Sequence, residues 1–181
     1  MAAASIPFVK LPIGWTVPPQ IKDAAGLFTG YLLLDALVGN QDRHHENWGI
    51  IFLPEQDVFL APTFDHASSL GRNESDLKRE ERLVTKDKGR SIETYVERAK
   101  SALYSTPFSL KPLTTLGAFE AAAKISPDAA RYWVEKLMNI DAQNYAAILK
   151  NIPDQEITEW GRKFAIRMLD LNAERISQLE I

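Results

Sequence analysis

GYLLLDALVGNQDRHHENWGII, residues 30–51, is the stretch on which the reading of this chain turns. Upstream of Gly39, the apolar residues Ile21, Ala24, Ala25, Phe28, Tyr31, Leu32 and Ala36 recur at helical spacing, which predicts a helix from Gln20 to Val38. Leu32 to Leu34 widen its apolar face, so it should be well buried, and Gly39 with Asn40 supplies a left-handed stop. Downstream, WGIIFL (48–53) and VFLAP (58–62) are short apolar runs separated by PEQD, a hairpin pattern. Asp42, Arg43, His44, His45, Glu46 and Asn47 are therefore expected on a turn from a buried helix into a strand.

Working outward, the chain has 181 residues, 45% of them hydrophobic, enough for one respectable core. A net charge of −3 supplies no global basic excess for nucleic acid or an anionic membrane surface, so neither partner is expected. Cysteine is absent, which removes disulfides and thiolate metal sites and suits a cytoplasmic protein. No run approaches the roughly 20 apolar residues needed to span a bilayer.

Residues 1–19 contain Pro7, Pro12, Pro18 and Pro19 and read as an extended, irregular lead-in. Residues 71–91 are more than half charged and read as a solvated loop with one short exposed helix, or as a substrate-facing segment beside the site. From residue 92 the chain looks all helical: SIETYVERAKSALY, LTTLGAFEAAAKI, SPDAARYWVEKLMNI and DAQNYAAILKNI precede a last helix from about Pro153 to Glu180. Ser126-Pro127-Asp128, Asp141 and Pro153-Asp154 supply the start signals.

Asp42 and Asn47 lie five apart, and a hairpin would bring Asp65 back toward them. A carboxylate, a carboxamide and a second carboxylate are hard oxygen donors, which suit Mg²⁺ better than zinc. Zinc would draw on His44, His45 and His66, but the two adjacent histidines point apart in an extended turn. A mononuclear hydrolytic site of Asp42, His44 and Asp65 is a further option, and each residue taken singly also suits a structural role in a turn.

The segment GYLLLDALVGNQDRHHENWGII followed by LAPTFDHASSL (60–70) resembles the catalytic core of the HipA-like family of serine/threonine protein kinases. The matching elements are Asp42-x-x-x-x-Asn47 in GNQDRHHENWG and the acid Asp65 closing LAPTFD; the match covers roughly residues 27–71. The resemblance implies a mostly α, kinase-like C-terminal lobe over 20–181 with a small β-hairpin at the catalytic and metal site. It implies Asp42 as the catalytic residue, Asn47 and Asp65 as Mg²⁺ ligands, and His44 with Asn47 on the cofactor side, His44 ordering the loop by hydrogen bonding. ATP and a protein substrate are the implied ligands. Arg43 would meet a phosphate or pair with Glu46; His45, Glu46 and His66 receive no role beyond solvated or supporting positions.

A kinase of this kind also uses a nucleotide-covering lobe with a strand lysine. Only 41 residues precede Asp42, Gly14, Gly26 and Gly30 are isolated, and Lys10 in FVKLP has no visible sheet to hold it. Three expectations follow: half of a split kinase whose N-lobe is a separate polypeptide, a free-standing C-lobe, or a non-catalytic binding module. The first predicts an exposed apolar docking patch among Ile6, Phe8, Val9, Leu11, Ile13, Trp15 and Val17, whose alternative is to pack on the domain's own helices. A phosphoinositide-type lipid kinase fragment competes on the DRH order, and the buried-turn cost of idle carboxylates argues mildly against a silent module. The family's link to toxin–antitoxin modules implies an antitoxin partner, although no residue here points to one.

Overall fold

The computed structural model describes residues 8–54 and 57–181. α1 (Ala24–Val38) runs through the middle, packed by α4 (Thr115–Ala123), α5 (Pro127–Met138) and α7 (Glu159–Ser177). Its apolar residues surround most of the axis, as a helix enclosed by neighbours requires. Asp23 Oδ1 caps its start, accepting from the Gly26 amide at 2.8 Å, and Gly39 ends it at φ 62°. Leu27, Phe28, Leu32 and Ala36 meet Phe119, Ala122, Ala130 and Ile176 in the main core. Burying each large side chain contributes about 2 kcal/mol.

A small sheet joins the same core through Val9, Val58 and Leu60. β2 (Ile50–Phe52) and β3 (Val58–Leu60) form the expected antiparallel hairpin, with Ile51 opposite Phe59. The lead-in departs from expectation: β1 (Val9–Lys10) pairs in parallel with β3, giving the order β1-β3-β2. Lys10 therefore does sit on a sheet, one supplied from downstream, and its Nζ meets Asp57 Oδ1 at 2.6 Å above the Phe59 ring. The lead-in apolar residues divide between the two expectations, since Val9 is buried whereas Phe8, Ile13 and Trp15 are exposed. Ile6 and the hairpin-turn residues 55–56 lie outside the described residues.

The charged segment holds one exposed helix, α2 (Asp76–Val84), as its composition predicts. α3 (Ile92–Glu97) is far shorter than the 91–104 run suggests, because the chain leaves the helix to bridge Lys100 with Thr114. Ser101 N and Leu113 N then donate to Leu113 O and Leu103 O, tying that excursion at its base. α6 (Ala142–Lys150) begins at the Asp141 cap. α7 starts six residues later than Pro153, at Glu159, where Thr158 accepts from the Gly161 amide. No helix among the described residues is long and apolar enough to cross a membrane.

Candidate functional site

Two turns carry the candidate residues. The first follows the left-handed Gly39 and holds Asp42, His44 and Asn47; the second follows β3 and holds Asp65. The Asn47 side chain closes the first turn by donating Nδ2 to the Asp42 carbonyl at 2.8 Å. Its Oδ1 accepts no hydrogen bond among the described residues, so the amide oxygen is left as a donor for a cation. Asp42 is not buried: its side chain is 45% exposed, with Ser68 Oγ donating to Oδ2 at 3.4 Å and His44 Nε2 lying 3.5 Å from Oδ1. Asp65 is exposed and takes no ion pair among the described residues. Neither carboxylate is buried, so their presence does not by itself weigh against a silent module.

The buried carboxylate is Asp35, which lies outside the motif. Asp35, on α1, accepts from Arg43 Nε at Oδ2 and from Nη2 at Oδ1, each at 2.7 Å, and from Asn40 Nδ2 at 2.9 Å. Arg43, expected to meet a phosphate or Glu46, is instead fully buried. Its Nη1 donates to the Asn47 carbonyl at 2.5 Å and to the Phe64 carbonyl at 3.3 Å; Nη2 also donates to His66 Nδ1 at 3.2 Å. The signal for this pair was a lone acid between Leu34 and Ala36 in an apolar run, since a buried charge demands a partner.

His66 thereby gains a role. A guanidinium only donates, so Nδ1 is the acceptor and the ring proton lies on Nε2, which donates to Thr63 Oγ1 at 3.1 Å. Burial, reinforced by the Arg43 charge, lowers its pKa below the ordinary 6.5, outweighing Asp35 and Asp65. Within the first turn His44 Nδ1 accepts from the Glu46 amide at 3.2 Å. His45 and Glu46 are exposed. Beneath the second turn Tyr31 donates to the Ala61 carbonyl at 3.2 Å, and burial pushes its pKa up to about 12.

Among the described residues no group of three His, Cys, Asp or Glu side chains comes together to hold a metal ion, so neither a zinc site nor a site of Asp42, His44 and Asp65 is assembled. Asn47 and Asp65 offer one amide and one carboxylate oxygen. That donor set fits Mg²⁺, which keeps waters and takes one or two protein carboxylates together with substrate phosphates. The charged segment adjoins the loop: Arg82 lies 4.7 Å over the Tyr95 ring, and Gln41 lies against the Tyr95 hydroxyl.

No family model matches the sequence, and a search of curated proteins finds no match. Among solved structures, the chain is similar to the Helicobacter pylori proinflammatory kinase CtkA, at a TM-score of 0.58 and 22% identity. The likeness covers 87% of this chain and 55% of that one, so this chain spans about half the length of its neighbour. At that identity the comparison speaks for architecture, and this mostly helical domain with its three-stranded sheet has a kinase-like fold.

Proposed function

We propose that this chain is the catalytic-loop lobe of a HipA-like kinase, transferring the γ-phosphoryl group of ATP to a serine or threonine of another protein. The observation that carries the reading is the arrangement of Asp42, Asn47 and Asp65 on two adjoining turns held by one arginine. The HipA-like assignment rests on the sequence motif, and the kinase-like fold supports the broader class.

In this reading the half-exposed Asp42 carboxylate orients the attacking hydroxyl and takes its proton, with Ser68 and His44 steadying its two oxygens. The Asn47 amide oxygen and the Asp65 carboxylate hold Mg²⁺, which when bound offsets charge on the nucleotide phosphates. The nucleotide-covering lobe that such a kinase uses lies outside these 181 residues. The exposed Phe8, Ile13 and Trp15 offer an apolar face on which such a lobe would dock, which favours a two-lobed enzyme over a free-standing lobe.

Calorimetric titration with Mg²⁺-ATP, with Asp65→Ala as control, tests the reading. Micromolar binding that the substitution removes supports it; binding indifferent to Asp65→Ala overturns the metal assignment.

A further inference from the structure

Arg43 does more than neutralise Asp35. A guanidinium has five N–H groups, and here each has its own acceptor: Asp35 Oδ2, Asp35 Oδ1, His66 Nδ1, the Asn47 carbonyl and the Phe64 carbonyl. Two of these acceptors flank Asp65, one on the residue before it and one on the residue after. Asp65 itself stands at φ 52°, a left-handed backbone that a non-glycine residue adopts at a cost and keeps only where its surroundings impose it. A third acceptor is the carbonyl of Asn47.

We infer that Arg43 is the positioning residue of the candidate metal pair, fixing Asn47 and the left-handed Asp65 relative to one another from a mount on α1. The inference rests on the reading of Asn47 and Asp65 as metal ligands and adds the residue that presents them. Asp35 is the mount: its carboxylate fixes the plane of the guanidinium, and Asn40 fixes the carboxylate. The remaining donors then reach both turns at set angles. Lysine has three donors on one atom and no plane, so it can answer the charge of Asp35 without gripping both turns. Positioning, rather than charge, is what makes arginine the residue required here.

The test uses Mn²⁺ as a paramagnetic probe in place of Mg²⁺, with binding followed by water-proton relaxation on the full chain. The variants are Arg43→Lys, His66→Ala and, as a core control away from the site, Phe119→Leu. His66 is 31% exposed in its side chain, so its removal frees one Arg43 donor and the Asp65 flank without emptying the core. Folded Arg43→Lys is expected to bind Mn²⁺ about 10- to 100-fold more weakly, the loss typical of residues that orient metal ligands. His66→Ala should fall in the same direction by a smaller factor, and Phe119→Leu should lower the melting temperature with affinity unchanged. If Arg43→Lys does not fold, His66→Ala decides. Wild-type affinity in the folded arginine variant, or in His66→Ala, overturns the inference while leaving the metal assignment standing. A wild-type chain that binds no Mn²⁺ overturns the metal assignment first and the inference with it.

Discussion

Asp35 and Arg43 face each other inside the protein, with two N–H···O bonds of 2.7 Å joining the last turns of α1 to the loop that carries Asp42. Removing one member strands the other as an uncompensated buried charge. Asp35→Ala is expected to cost about 3–5 kcal/mol, well above an ordinary surface change. Urea unfolding measures it, and a loss under about 1 kcal/mol would mean that water reaches the guanidinium.

Gly71 follows the site loop at φ 67°, and a Cβ built there would run into Cε1 of the buried Phe164 ring. Gly71→Ala should therefore destabilise the protein by roughly 2 kcal/mol or more, part backbone and part steric. Repeating the substitution in a Phe164→Ala background should remove the steric part. Equal losses in both backgrounds would place the whole cost in the backbone.

Asp76 links the charged segment to α7: Thr158 Oγ1 donates to its Oδ1 at 2.8 Å, and Arg79 also engages that oxygen. The Thr158 hydrogen bond, followed by Arg79, holds its pKa below the ordinary 3.8. A carboxyl group depressed in the folded state stabilises above its unfolded value and loses that contribution as pH falls through the folded one. Melting temperatures from pH 6 down to 2.5 should show the gap between wild type and Asp76→Asn closing below about pH 4. A gap constant across that range would show that the link does not depend on the charge.

Asp42→Asn separates chemistry from fold. The side chain is 45% exposed and its contacts are long, so stability should shift by no more than about 0.5 kcal/mol. Phosphoryl transfer to a protein acceptor, assayed with the nucleotide lobe present, should fall at least about a hundredfold. A variant that unfolds would give Asp42 a structural role, and a folded one that transfers at the wild-type rate would remove it from the chemistry.

Much of this arrangement was legible in one sequence. Helical spacing before Gly39 marked α1, the paired apolar runs marked the hairpin, and the motif spacing singled out Asp42, Asn47 and Asp65. What was not legible depended on partners far away in sequence. β1 is two residues long and hidden among prolines, and its partner β3 lies 49 residues downstream. Arg43 looked like a loop cation because its acceptors lie on α1 and on the far turn. The late start of α7 follows from the Thr158 cap, which outcompeted the proline signal at Pro153. Asp35 could have been found by asking what a solitary carboxylate was doing among leucines.

The parallel pairing of β1 with β3 also orders events in time. α1 and the β2–β3 hairpin close local contacts, whereas the Lys10–Asp57 contact spans 47 residues. Loop closure over that distance carries an entropic cost that the hairpin does not bear. On the ribosome the first strand emerges long before its partner exists, and it waits unpaired until β3 has been made. A substitution in β1 should therefore speed unfolding and leave the folding rate nearly unchanged.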